Sequence, residues 1–242
     1  MKHEVGRIKA IFRYAVKSMA GMEITEAQLG FHGLEGDRRF AFRRMMEQGG
    51  FPWLTASRLP QMILFKPFHQ EENDQSLVPS HVRTPEGREL ELRSRELSEE
   101  VSRRFGSEVQ LMQLTQGIFD EASLSVISHE TIHAIEKESE HAMDVRRFRP
   151  NVLIESNSGK PFEEDDWVGH TLFFGEESDG PAVHLTLRDK RCVMVNFDPD
   201  TAESHPNIMK SIVRLNEDNA GVYGTVTKAG NLSVGQKIFV SD

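Results

Sequence analysis

One cysteine, Cys192, stands in 242 residues. A single thiol excludes an internal disulfide framework and any zinc or iron–sulfur site that needs several thiolates. Long uncharged apolar runs are missing as well, so no membrane-spanning helix is expected. The opening Met1-Lys2-His3-Glu4-Val5-Gly6-Arg7 has no apolar signal core, which makes the cytoplasm the expected compartment. There is no Walker loop, dinucleotide fingerprint, Gly-x-Ser-x-Gly elbow or paired-cysteine zinc motif. Positive charge is scarce too. With Lys+Arg 29 against Asp+Glu 38, the net charge is −9 and the pI about 5.6. A chain of that balance lacks the basic face that broad nucleic-acid binding requires.

What is present describes a globular chain with ample core: 38% hydrophobic and 28% charged residues. From Arg7 to Tyr14 the apolar Ile8, Ala10, Phe12 and Tyr14 alternate with Arg7, Lys9 and Arg13, the period of a half-buried strand. Short strands are also expected at Phe40–Phe42, Met62–Phe65, Glu89–Leu92, Val152–Ile154, Leu172–Phe174, His184–Leu187, Val193–Phe197, Tyr223–Val226 and Ile238–Val240. Three helices are expected. Leu97, Val101 and Phe105 form one stripe, with Ser98 as candidate N-cap and Gly106 as C-cap. Ser128 caps a second, carrying Glu130, Ile132 and Ile135. Pro206 at N1 opens a third with Ile208, Ile212 and Leu215. Many short strands and few helices predict a mixed, β-rich barrel, not alternating βαβ units. His69–Thr84 reads as including a loop, and a soft boundary falls near residues 106–118.

Several clusters carry chemistry. A lone cysteine is ordinarily a small buried hydrophobe. Arg188, Lys190 and Arg191 around Cys192 argue otherwise, because neighbouring cations favour the thiolate. Lys17 and Ser18 follow the first strand and suit a phosphate, although Lys-Ser pairs are more often solvated. Arg38, in Gly36-Asp37-Arg38-Arg39-Phe40, could grip an anion or pair with a surface acid. Arg146, Arg147 and Arg149 crowd a chain that is acidic overall, an arrangement that needs carboxylates or an anion to offset it. His129, His133 and His141 read as solvated surface, and Glu163-Glu164-Asp165-Asp166 as a surface loop, not a metal cage.

In order along the chain, Tyr14–Ser18, Asp37-Arg38, Phe148–Asn151 and Arg191–Thr201 resemble segments of the MOSC family, the molybdenum-cofactor sulfurase C-terminal domain with its N-terminal β-barrel partner. The segments Thr55–Pro60, Glu164–Trp167 and Gly230–Gly235 are similar to others of that family. The amidoxime-reducing components and their bacterial counterparts are similar to this chain in carrying these segments in the same order. This chain departs from the usual pattern at Lys190, where relatives often carry serine, at Gln236, and over Asp120–Ser123.

The resemblance implies a MOSC-type barrel, like that of pyruvate kinase, with an N-terminal β subdomain. It divides the chain into residues 1–110 and 111–242. It implies that Cys192 ligates molybdenum, a soft thiolate joining a metal already held by two pterin sulfurs. Lys17, Ser18, Arg38 and Arg149 are then the partners of the cofactor's phosphate, and Asn151 either bonds the pterin or orders its loop. Thr55 and Arg58 are further cofactor candidates. Asp198 and Asp200 either serve the catalytic site or cap their turn. The implied activity is reduction of N-hydroxylated compounds, with electrons from a separate donor such as a ferredoxin or a flavin reductase. A carrier of the cofactor or its sulfur is the alternative. Pyridoxal phosphate, which serves a large domain in the sulfurases, is not expected here.

Overall fold

The computed structural model describes residues 2–71, 76–115, 117, 121–176 and 180–241. The strands and helices run β1 (Lys2–Arg13), β2 (Met22–Ile24), β3 (Glu26–Gly30), β4 (Gly33–Leu34), β5 (Phe40–Arg44), β6 (Lys66–Phe68), β7 (His81–Arg83), β8 (Glu89–Glu91), α1 (Arg95–Phe105), β9 (Val109–Gln113), β10 (Leu124–Ser128), α2 (His129–Ser139), β11 (Val152–Ser156), β12 (Thr171–Phe174), β13 (Ala182–Lys190), α3 (Asn207–Asn216), β14 (Asn219–Lys228), β15 (Gly230–Ser233) and β16 (Lys237–Ser241). Short 3-10 turns interrupt them at Pro60–Leu64, Val145–Arg147, Glu163–Trp167 and Val193–Asn196. Among the described residues, no helix is long and apolar enough to cross a membrane.

Seven strands close into a barrel. The order is β11-β10-β14-β13-β12-β16-β1, and β1 pairs with β11 to complete the ring. The interior is packed with aliphatic residues such as Ile8, Ile11, Val126, Ile154, Leu185 and Ile238. β1 therefore has a barrel partner on each side, β16 along its first half and β11 along its second. β10 and β11 are parallel with α2 between them, one βαβ unit within an otherwise antiparallel ring. A second apolar cluster joins Val16, Met19, Phe40 and Phe42 to α1 and the small sheets β5–β9 and β6–β7–β8. A third packs α2 and α3 on the outside of the barrel.

The structure corrects several sequence expectations. β1 does not keep one apolar face, because its register to β11 shifts between Ile8 and Ala10. Ile8 and Ile11 consequently fill the barrel, while Ala10, Phe12 and Tyr14 join the outer cluster. Met62–Phe65 is not a strand: Pro60 sets the φ of a 3-10 turn ending at Leu64. Val193–Phe197 is likewise a 3-10 turn, since the ladder from β13 to β14 ends at Lys190 opposite Asn219. In α1 the cap is Ser94, whose Oγ accepts the Leu97 N–H at 3.2 Å, and not Ser98. Pro206 is the N-cap residue of α3, and Leu215 faces solvent. The stretch before Thr84 contains β7.

Candidate cofactor cleft

The segment leaving β1 crosses from the outer cluster at Tyr14 to the second cluster at Val16 and Met19. A bridge between Val16 and Phe40 lays it alongside the start of β5. That crossing opens a cleft of about 350 Å³ lined by Lys17, Ser18, Arg38, Thr55, Arg149 and Cys192. Six expected site residues from five separate stretches of sequence thus converge.

Three of them hold left-handed backbone: Ser18 at φ 67°, Arg38 at 46° and Arg149 at 51°. Non-glycine residues in that region are strained unless their surroundings enforce it, and such strain concentrates at functional sites. The enforcement here is visible. The Arg38 N–H donates to the Tyr14 carbonyl at 2.7 Å, and Asp37 Oδ1 accepts the Tyr14 N–H at 2.7 Å. The Arg38 guanidinium ion-pairs with Asp37 and donates to the Arg149 carbonyl at 3.2 Å. Burial works against the Arg38 charge, but the Asp37 carboxylate outweighs it and raises the guanidinium pKa above its ordinary value. Arg149 donates to the Met19 carbonyl at 2.6 Å, and its guanidinium lies 4.2 Å from the centre of the Tyr14 ring.

Asn151 does not line the cleft. It is buried, with Oδ1 accepting the Ser125 N–H at 3.2 Å and Nδ2 donating to the Phe12 carbonyl at 3.3 Å. It orders the loop. Arg58 is exposed and also lies outside the lining. Asp198 accepts from the N–H groups of Asp200 and Thr201 at 3.0 and 3.1 Å and from Arg147 at 2.7 Å. Asp200 pairs with Arg146 at 2.6 Å. Neither aspartate lines the cleft: Asp198 caps the turn and offsets Arg147, and Asp200 offsets Arg146. Burial opposes ionisation of Asp198, yet the hydrogen bonds and Arg147 hold its pKa below the ordinary aspartate range.

Cys192 is exposed, so the small buried hydrophobe is not what the structure holds. It occupies the N-cap position of the 3-10 turn Val193–Asn196, with the turn's apolar face tied down by Val195. The neighbouring cations are engaged elsewhere. Arg188 pairs with Asp165 and Glu217, Lys190 with Asp218, and Arg191 with Asp189. Arg191 also donates to the carbonyls of Phe148 and Ala220 at 2.6 and 2.7 Å, which fixes the backbone just before Arg149. Gly221 lies beside that guanidinium at φ 83°, where a Cβ would meet the Val126 carbonyl at 2.6 Å and Arg191 Nη2 at 3.2 Å.

Sequence reasoning missed Arg147, Asp189 and Tyr223, which line the cleft. For Arg147 a signal existed in the basic run, but nothing separated it from Arg146. The acidic run is no surface loop: Glu164 is fully buried beneath the start of α2, and Trp167 is buried beside it. His129 and His133 are exposed, and no cluster of metal-ligating side chains is found among the described residues. The part of the Asp120–Ser123 segment at Asp120 lies outside the described residues.

Residues 95–239 match the MOSC domain, and residues 5–123 match the MOSC N-terminal β-barrel domain. The chain belongs to the MOSC family. Mitochondrial amidoxime reducing component 2 of Bos taurus is 22% identical over 98% of this chain and 83% of its own length. The Homo sapiens protein of the same name is also 22% identical, over 98% of this chain and 84% of its own. The crystal structure of YuaD from Bacillus subtilis superposes with a TM-score of 0.52 at 14% identity, covering 99% of this MOSC chain and 97% of that one. The MOSC family is associated with molybdenum-cofactor binding, and the cleft's donor set fits such a group: one exposed soft thiol beside a wall of fixed cations.

Proposed function

We propose that the cleft holds a molybdenum cofactor and that the chain reduces N-hydroxylated compounds. The observation that carries this reading is the convergence of Lys17, Ser18, Arg38, Thr55 and Arg149 on the same cleft as the lone thiol Cys192. When bound, the cofactor would supply two-electron reduction of an N–O bond, with the oxygen leaving as water. Cys192 would give the metal its protein thiolate. Lys17, Arg38 and Arg149 would hold the phosphate, with the hydroxyls of Ser18 and Thr55 beside them. Arg38 is suited to that task because Asp37 keeps it charged and Asn151 lies 3.4 Å from its Nη1. Asp198 would act at one remove, by positioning Arg147 in the cleft wall.

The exposure of Cys192 also favours a second reading, a carrier that passes the cofactor or its sulfur to another protein. The chain purified from a cofactor-competent host separates the two. Molybdenum and pterin bound together with turnover of an amidoxime by reduced viologen are the expected result. Cofactor without turnover would leave the carrier, and neither metal nor pterin would end both readings.

A further inference from the structure

Beside the cleft lies a second recess of about 190 Å³, which contains Tyr14 and is walled by Ile63, Met194, Phe197 and Pro199. Tyr14 is 1% exposed, and its hydroxyl has no hydrogen-bond partner among the described residues. A buried hydroxyl left without a partner is costly, and native structures rarely retain one that has no use. The ring that carries it is firmly set. Arg149 and Arg38 stack on it at 4.2 and 5.0 Å, and Gly21 closes against it so tightly that a Cβ there would lie 2.4 Å from Cε1. Burial pushes the phenol pKa above its ordinary range against the pull of Arg149 and Arg38, so Tyr14 remains a proton donor. Arg147, 6% exposed, brings a second donor without a partner among the described residues, its Nε, and Lys66 stands at the same recess.

We propose that this recess is a binding subsite for the carboxylate end of a small apolar substrate. The carboxylate sits among Tyr14 Oη, Arg147 and Lys66, and an aromatic or aliphatic body lies against Ile63, Met194, Phe197 and Pro199. Apolar walls favour such a ligand over a bare phosphate, which would leave them wet. Arg147, Arg149 and Met194 line both recess and cleft, so a ligand seated here directs its other end toward the cleft of Cys192. Only the use of the subsite in reduction rests on the function proposed above; the binding does not.

Calorimetric titration of benzoate and of inorganic phosphate into the purified full chain tests this. Wild type is compared with Tyr14→Phe, Lys66→Ala and Lys17→Ala. Tyr14→Phe deletes a hydroxyl with no hydrogen-bond partner among the described residues, and Lys66 is exposed, so that variant keeps its fold whatever the first does. Wild type should bind benzoate more tightly than phosphate. Tyr14→Phe and Lys66→Ala should each weaken benzoate roughly tenfold, the worth of one charge-assisted hydrogen bond. Lys17 lines the cleft and not the recess, so Lys17→Ala should leave benzoate affinity unchanged. No benzoate binding by wild type, unchanged affinity in both recess variants, phosphate bound as tightly as benzoate, or a loss confined to Lys17→Ala would overturn the proposal. Molybdenum and pterin are measured on the same samples. Benzoate binding without cofactor would sink the reductase reading and keep the subsite, and cofactor without benzoate binding would do the reverse.

Discussion

Arg149 has two separable properties, a guanidinium in the cleft and a backbone at φ 51°. Alanine removes the first and keeps the strain of the second, whereas glycine removes both. Arg149→Gly should therefore unfold about 1 kcal/mol later than Arg149→Ala, as glycine tolerates the left-handed region. Both should lose cofactor alike, which metal and pterin analysis would show. Charge-assisted contacts are worth about 1.5–3 kcal/mol, so Arg38→Ala and Lys17→Ala should also lower occupancy at least about tenfold. Normal molybdenum content in all of these variants would assign the residues to the fold. Cys192→Ser exchanges a soft donor for a hard one at an exposed position. It should abolish turnover with no change in the unfolding midpoint; undiminished activity would remove Cys192 from the metal. These residues were legible because each stands in a short ordered motif. The left-handed backbone and the unpartnered Tyr14 hydroxyl were not, because both arise from contacts between segments far apart in sequence that no local spacing encodes.

Elements were legible where a cap or a period spoke for them. Ser128 at the start of α2 and Gly106 at the end of α1 are caps that sequence alone identifies. β10 escaped notice because it is buried on both faces and shows no alternation. The turns at Met62 and Val193 looked like strands because a short apolar run fits either form until a pairing partner is known. Glu164 shows how far an element can depend on a distant residue. Its Oε1 accepts the N–H of Ser128, the cap of α2, at 3.1 Å, while Oε2 is buried without a hydrogen-bond partner among the described residues. Burial raises the Glu164 pKa above the ordinary glutamate value despite hydrogen bonds that favour ionisation. The folded chain thus holds this proton more tightly than the unfolded chain. Its stabilising contribution is complete below the ordinary glutamate pKa and is lost as pH rises through the folded-state value. Glu164→Gln keeps the acceptor and abolishes that titration. Its stability relative to wild type should rise from acid to neutral pH in denaturant titrations; a pH-independent difference would show that folding leaves the Glu164 pKa unshifted.

For the whole molecule, electron supply is the open question that sequence and barrel frame together. One exposed cysteine cannot hold a four-cysteine cluster, and the sequence carries no dinucleotide fingerprint. We expect reduced viologen to drive N-hydroxy turnover by the cofactor-loaded chain, and NADH or NADPH alone to fail. Turnover with NADH and no second protein would refute dependence on a separate donor. The barrel also constrains how the chain reaches its native state. β1 pairs Lys2 with Ser241 and Gly6 with Ser156, so this strand is enclosed by strands that follow it much later in the sequence. During synthesis the Lys2–Arg7 half of β1 must therefore wait without its β16 partner long after β2 and β11 have emerged. Long-range closure of that kind slows folding and prolongs the interval in which an unpaired edge can recruit another chain. Yield in a cell should then depend on chaperone supply during synthesis more than on the stability of the finished barrel.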